Sequence, residues 1–388
     1  MSDSEKINLI ATTAFGLEAV TARELEWLGY TERTTENGRI YFPADIEGIC
    51  RCNMWLRTAN RLFINMGQFK ALTFDELFEG TKALPWERWL PENAEFPVDG
   101  KSVKSKLFSI SDCQAIVKKA IAERLKSVYK VDWINETGPK YKIEVSLLND
   151  IATLSIDTSG HGLHKRGYRE EVGEAPLKET MACGLLYISR WKADRVLLDP
   201  FCGSGTIPIE AAMIAMNIAP GLKQKFDSEN WPQIPCTLWE KTRSEAEAAI
   251  KQDAELRIYG SDISYKQLTL AMKHAELAGV KGKIKFQKLD FVKTSSRYDY
   301  GFIITNPPYG ERLMERKEIE VLYKNMGQHF KNFETWSYYI LTSYEAFEKQ
   351  FGRKADKKRK LYNGALKCDY YQFYGPKPPK RDRNIEMQ

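Results

Sequence analysis

The sequence lacks several things, and each absence narrows what the chain can be. No apolar run approaches the roughly 20 residues that a membrane-spanning helix needs, and the opening MSDSEKINLIATTAFG carries acidic residues where a secretory leader has a basic stretch. Neither a membrane protein nor an exported one is expected, and the cytoplasm is the expected location. Histidine is scarce, with four in 388 residues, and the seven cysteines are an odd number scattered along the chain. Cys50 and Cys52 form a C-x-C pair, but no second Cys/His cluster accompanies them at ligand spacing, so reduced thiols and no metal are expected. Two nucleotide signatures also fail. Gly100-Lys101-Ser102 resembles the end of a phosphate-binding loop, yet the glycine required five positions earlier is Glu95; G-x-G-x-x-G is broken after Gly203 and Gly205 by Pro208.

What is present points to several domains and a polyanionic partner. A chain of 388 residues exceeds the size at which one hydrophobic core keeps growing, so two or three domains are expected. The net charge of +6 is modest, but basic residues gather at 101–106, 118–130, 164–169 and 353–360. Up to about residue 70, short apolar runs at 7–11, 39–42 and 61–67 alternate with helical stretches at 16–28 and 45–52, which reads as a small α+β unit. From 71 to 160 the texture is basic α+β. Ser111 can cap a helix in which Val117, Ile121, Leu125 and Val128 recur at helical spacing, leaving Lys118, Lys119, Arg124 and Lys126 on its rim. Strands at 141–148 and 151–157 follow, joined at the turn-favouring Asn149-Asp150.

The glycine-rich basic stretch at 160–180, which includes Lys165, Arg166 and Arg169, reads as a linker. Beyond it strands at 195–201, 257–262, 283–290, 302–306 and 338–342 alternate with helices at 207–218, 265–277 and 319–330. That alternation predicts a parallel sheet with helices on both faces, a doubly wound α/β domain. A hairpin, 358–362 and 365–374 around Asn363-Gly364, closes it, and a parallel sheet so finished is the topology of class I (Rossmann-like) methyltransferases. Residues 220–255 read as an insertion with its own helix, and 376–388 as a flexible tail.

The chemistry-bearing residues stand at strand ends of this domain. In VLLDPFCGSGT an apolar strand runs into Asp199, then into a turn with Gly203 and Gly205, and an apolar helix follows. Glycine permits close approach to a ligand at the carboxyl end of the sheet. Asp199 would repel a pyrophosphate, whereas it suits the cationic amino acid moiety of S-adenosylmethionine. Asp262 ends the second strand, where an acid can accept both ribose hydroxyls or cap the next helix. Asp290 ends the third, able to accept from an adenine amino group or to be a plain surface acid, with Phe291 offering a ring face.

The fourth strand ends in Asn306-Pro307-Pro308-Tyr309. Two prolines stop the ladder and stiffen the corner. The Asn306 amide oxygen and the Pro307 carbonyl can bind both hydrogens of an exocyclic amine, leaving its lone pair toward a sulfonium methyl, while Tyr309 offers a stacking surface.

DPFCGSGT followed by NPPYGERL, and preceded by HKRGYREEVGEAPLKET, resembles the THUMP-domain RNA methyltransferases, especially the portion of bacterial 23S ribosomal RNA methyltransferases that methylates guanine N2. The resemblance implies a ferredoxin-like region over 1–70, a THUMP RNA-binding domain over 71–160 and a catalytic domain over 161–375. It also implies S-adenosylmethionine as cofactor and RNA as substrate. It places cofactor contacts on Pro176, Thr180, Asp199, Phe201, Gly203, Gly205, Asp262, Asp290 and Phe291, with Asn306 shared, and base recognition on Asn306, Pro307 and Tyr309. Lys118, Lys119, Arg124, Lys165, Arg166 and Arg169 are the candidate RNA contacts, and the second module of bifunctional relatives is not expected. Transfer RNA as substrate, adenine N6 in RNA or DNA, and a non-catalytic RNA-binding assembly factor stay open beside guanine N2 in ribosomal RNA.

Overall fold

The structure is a computed structural model that describes residues 6–169, 177–309 and 316–379. Its strands form two seven-stranded sheets, each in its own compact unit. The first unit comprises β1 (Ile7–Thr13), β2 (Thr34–Glu36), β3 (Arg39–Ala44), β4 (Ala59–Lys70), β5 (Val98–Val103), β6 (Lys142–Leu148) and β7 (Ile151–Asp157), in the spatial order β2-β3-β1-β4-β7-β6-β5. β4 is 12 residues long and pairs antiparallel with β1 on one edge and with β7 on the other. The regions read as 1–70 and 71–160 are thus joined in one continuous sheet. Asn149 and Asp150 both have positive φ, +51° and +65°, as the two-residue turn between β6 and β7 requires. The basic helix spans Ile110–Tyr129, and its N-cap is Ser109, two residues ahead of the expected Ser111.

The stretch read as an insertion packs away from its neighbours in the sequence. Residues 161–375 read as one domain with an insertion at 220–255, and Ala219–Ala249 lies in the first compact unit. The reason is apolar: Phe226, Trp231, Ile234 and Trp239 share a core with Leu9, Leu62, Val145 and Leu154. Trp231 stacks on Tyr141 with centroids 4.5 Å apart, meets Trp89 edge-on at 6.2 Å, and donates its indole N–H to the Lys140 carbonyl at 2.9 Å.

The second unit carries β8 (Leu197–Asp199), β9 (Ile258–Asp262), β10 (Ile284–Lys288), β11 (Phe302–Thr305), β12 (Ser337–Thr342), β13 (Lys357–Asn363) and β14 (Leu366–Phe373), ordered β10-β9-β8-β11-β12-β14-β13. Pairing from β10 to β12 is parallel, whereas β14 runs antiparallel to β12 and β13. This is the class I methyltransferase topology. The strand order reverses between β8 and β11, and the carboxyl ends of strands at such a reversal are where open α/β sheets bind their ligands. Asp199 and Thr305 are the last residues of those two strands. No described helix is long and apolar enough to cross a membrane, and the tail from 380 lies outside the described residues.

Removing the Trp231 ring deletes a large buried side chain from the first unit. Trp231→Ala should destabilise that unit by about 3–5 kcal/mol. Amide hydrogen exchange should quicken in β6 and stay unchanged in β8; equal protection of β6 in both proteins would show that the inserted segment does not support this sheet.

Candidate cofactor and substrate site

The site begins with a carboxylate that has almost no contact with water. Asp199 is 2% exposed and accepts hydrogen bonds from the Thr305 hydroxyl at 2.6 Å and from the Phe201 N–H at 3.2 Å. Thr305 immediately precedes Asn306, so the glycine turn and the proline corner meet through one buried hydrogen bond. Burial pushes the Asp199 carboxyl up to about 7, while the Thr305 and Phe201 bonds pull the other way.

The glycine turn is shaped from both sides. Gly203 and Gly205 have φ of +51° and +85°, and Gly205 is the N-cap of the helix Thr206–Ala215. A Cβ on Gly205 would also press on Ala271, Ile209 and Phe286 at 3.0–3.2 Å, whereas one on Gly203 would meet nothing within 4 Å. Only Gly205 is confined by its neighbours; beside Gly203 there is open space. Asp262 accepts from the Gly203 N–H at 3.1 Å and the Ser264 N–H at 2.8 Å, tying the turn to the helix Tyr265–Leu277. Each oxygen keeps lone pairs for a ribose hydroxyl. Asp290 is exposed and caps the short turn Phe291–Lys293 through the Val292 N–H at 3.2 Å. The Phe201 and Phe291 rings lie 5.0 Å apart. Strand-end carboxylates, an open glycine turn and an aromatic pair fit an adenosyl group bearing a cationic amino acid.

At the corner, the Asn306 amide oxygen is buried and has no hydrogen-bond partner among the described residues. Such an acceptor costs about 1–3 kcal/mol until something donates to it. The Pro308 carbonyl accepts from the Tyr323 hydroxyl at 3.3 Å, and Tyr323 is also 2.7 Å from Thr342, so the corner is braced from behind. The Tyr309 hydroxyl lies 3.8 Å from the Cys368 sulfur and bonds to Asn363, and burial pushes it well above its ordinary range. Tyr309 therefore remains a neutral phenol. A cavity of about 480 Å³ lies on the sheet face of Leu198, Tyr259 and Lys285, and neither Asp199, Asp262 nor Asn306 lines it. The chemistry, not that cavity, locates the site.

Two candidate RNA contacts are corrected. Arg166 is buried, with its guanidinium 3.7 Å from Glu210, and the same carboxylate accepts from the Tyr168 hydroxyl and the Cys183 thiol, both at 2.9 Å. Arg169 pairs with Glu179 at 3.2 Å and donates to the Thr206 hydroxyl at the start of the glycine-turn helix. Both cations are spent inside the catalytic unit, behind the cofactor turn. Thr180 is buried on the helix Glu179–Ser189. Pro176 lies outside the described residues. Lys165 is exposed, whereas Lys118 pairs with Glu136 at 2.7 Å and Arg124 with Glu87 at 2.5 Å. Lys119 lies 5.8 Å from the Phe78 ring. Such surface pairs are each worth about 0–1 kcal/mol, so they yield readily to a phosphate.

Thr305 was missed by the sequence reading, and so was the network around Glu210. A small hydroxyl closing an otherwise apolar strand was the available sign of the first. Glu210→Ala should remove the carboxylate shared by Arg166, Tyr168 and Cys183 and destabilise the catalytic unit by about 3–5 kcal/mol. Urea unfolding followed by exchange in β8 tests this; a change below about 1 kcal/mol would mean that the Glu210 carboxylate is not what holds this network together.

Comparison with known proteins identifies the family. The chain matches the family described as RMKL-like, methyltransferase domain, over residues 166–372. It also matches an RlmL ferredoxin-like domain over 8–63 and a THUMP domain over 71–157. It is 51% identical to the Bacillus subtilis protein YpsC, provisionally named an RNA methyltransferase, over 98% of this chain and 99% of that one. It is 34% identical to the ribosomal RNA large subunit methyltransferase K/L of Shewanella frigidimarina over 94% of this chain, which spans about half, 52%, of that relative's length. The crystal structure of SMU.472, a protein assigned as a methyltransferase and solved with S-adenosylhomocysteine, superposes with a TM-score of 0.92 at 46% identity, covering 98% of this chain and 100% of that one. The chain belongs to the RMKL-like methyltransferase family and uses S-adenosylmethionine as its cofactor.

Proposed function

We propose that this methyltransferase modifies the exocyclic 2-amino group of a guanine in 23S ribosomal RNA. The observation that carries the reading is the unpartnered Asn306 amide oxygen, held beside the Thr305–Asp199 hydrogen bond. An amine conjugated to a purine is a weak nucleophile because its lone pair is delocalised into the ring. Asn306 accepts one amine hydrogen and the Pro307 carbonyl the other, which turns the nitrogen lone pair out of the plane of the base. Tyr309 stacks on the extruded ring. The bound cofactor supplies an electrophilic methyl on a sulfonium. Asp199 holds its ammonium, Asp262 its ribose, Asp290 and Phe291 its adenine. No general base is needed beforehand, since the amine sheds its proton after the methyl has arrived.

The RNA reading rests on the THUMP match and on the names of the relatives. Lys118, Lys119 and Arg124 on the helix Ile110–Tyr129, together with Lys165, are its docking cations. Guanine N2 and adenine N6 make the same demand on the corner, and so the product decides between them.

Two experiments test the assignment. Labelled S-adenosylmethionine incubated with total deproteinised RNA should leave label in N2-methylguanosine of 23S RNA; label in N6-methyladenosine or in transfer RNA would reassign the substrate. Asn306→Ala should lower the turnover rate by about 10²–10³ with RNA affinity unchanged, and an undiminished rate would defeat the role given to the corner.

Asp199 also makes cofactor binding depend on pH. In the folded chain it holds its proton up to about pH 7, whereas an unfolded carboxyl loses it near ~4. The extra proton bound between those values favours the fold at low pH, and that contribution is lost as pH rises toward 7. Attraction for the ammonium runs the opposite way. Cofactor affinity measured by calorimetry should fall about tenfold from pH 8 to pH 6, and in Asp199→Asn it should be weak and flat with pH. A flat profile in the parent protein would show that Asp199 does not hold the ammonium.

A further inference from the structure

The closing hairpin does more than finish the sheet. Its two ends meet at Asn363 and Leu366, and the Tyr309 hydroxyl touches its Asn363 and Cys368. The hairpin is therefore part of the wall behind the base-stacking residue. Its outer strand, β13, is an edge strand that carries Lys357, Lys358, Arg359 and Lys360 in succession. Lys358 is partly neutralised by Asp369 at 3.6 Å. Lys360 and, on β14, Lys367 are exposed and make no ion pair among the described residues.

A second element is pressed onto this strand. The short segment Ala14–Leu17, which follows β1 in the sequence, belongs to the catalytic unit. Gly16 has φ of +93°, and a Cβ there would come within 2.4 Å of the Lys360 carbonyl oxygen, so only glycine allows the approach. Leu17 is fully buried and lies against Gly184 of the helix Glu179–Ser189. Between this anchor and β1 sits Phe15, 52% exposed, packed edge-on at 69° and 5.9 Å against Tyr362. The contact leaves Phe15 half-exposed, with ring surface open to water. On β13, Lys360 and Tyr362 are two residues apart and share a face, and Lys367 stands opposite Tyr362 on β14, so the exposed Phe15 ring packed on Tyr362 and the two lysines gather on one side of the hairpin. Bases stack on such a ring whatever their sequence, and ammonium groups take the phosphates.

We propose that Phe15, Tyr362, Lys360 and Lys367 form a binding site for the RNA strand flanking the methylated base, with a neighbouring nucleotide stacked on Phe15. The inference rests on the RNA reading above and adds the place where the strand leaves the catalytic corner. Charge complementarity selects a polyanion, and the exposed ring selects one whose bases are unstacked.

The test uses the full chain in methyl transfer to deproteinised RNA over a range of salt, with cofactor affinity measured separately by calorimetry. Phe15→Ala should raise the RNA KM about tenfold, leaving kcat at saturating RNA and cofactor affinity unchanged. The double variant Lys360→Glu/Lys367→Glu should raise KM and lower the slope of log KM against log salt by about one or more. Lys331→Glu, an exposed lysine elsewhere on the unit, should do neither. RNA KM and salt slope within about twofold of the parent in both Phe15→Ala and Lys360→Glu/Lys367→Glu would overturn the site while leaving RNA methylation intact. If the parent methylates no RNA, the function proposed above fails, and anisotropy of the same labelled RNA decides this site independently. Weaker binding by the variants sustains it, and binding equal to the parent's, or none by the parent, overturns it.

Discussion

The site depends on one hydrogen bond, from the Thr305 hydroxyl to the Asp199 carboxylate, between residues 106 positions apart in the chain. A carboxyl so thoroughly removed from water is costly unless it is held. Thr305 holds it by standing at the end of the neighbouring strand, where the order of the sheet reverses. Two local motifs are thereby forced into one place: an open turn that admits a ligand, and a stiff corner beside it. Neither would have chemical meaning alone.

The surroundings keep this pair fixed. Asp262 ties the glycine turn to the following helix, and Tyr323 and Thr342 brace the carbonyl behind the proline corner. Beneath the helix that leaves the turn, Glu210 gathers an arginine, a tyrosine and a thiol about one carboxylate. Desolvating so many polar groups returns little net stability, and its effect is directional: each partner is satisfied in only one arrangement. Turnover by an enzyme whose acceptor is a poor nucleophile depends on such orientation.

Much of the fold was legible because its signals are local. β7 and the helix Tyr265–Leu277 have the bounds that the pattern predicts, and β9 and β11 differ by one residue at one end. Asp199 and Asp262 were legible as strand ends and Asn306 as the residue after one, because each lies within two positions of a glycine or proline. What stayed hidden involves partners distant in sequence. The periodicity of 219–249 reports that it has an apolar face but not which core receives it, and Trp231 finds Tyr141 only after folding. A run of basic residues likewise does not distinguish a solvated arginine from one buried against an acid, which is why Arg166 and Arg169 read as surface groups. Phe15 carried no signal at all. Its significance comes from Gly16 and from a strand more than 300 residues away in the sequence.

The pairing of β4 with β7 has an outcome for how this chain can be divided. Because β4 is shared, the ferredoxin-like strands and the THUMP strands close each other's ladders. Cutting the chain near residue 70 would bare a long row of unpaired amides and carbonyls on each fragment, an edge that invites aggregation. In this chain, then, each half serves as the cover for the other's open edge.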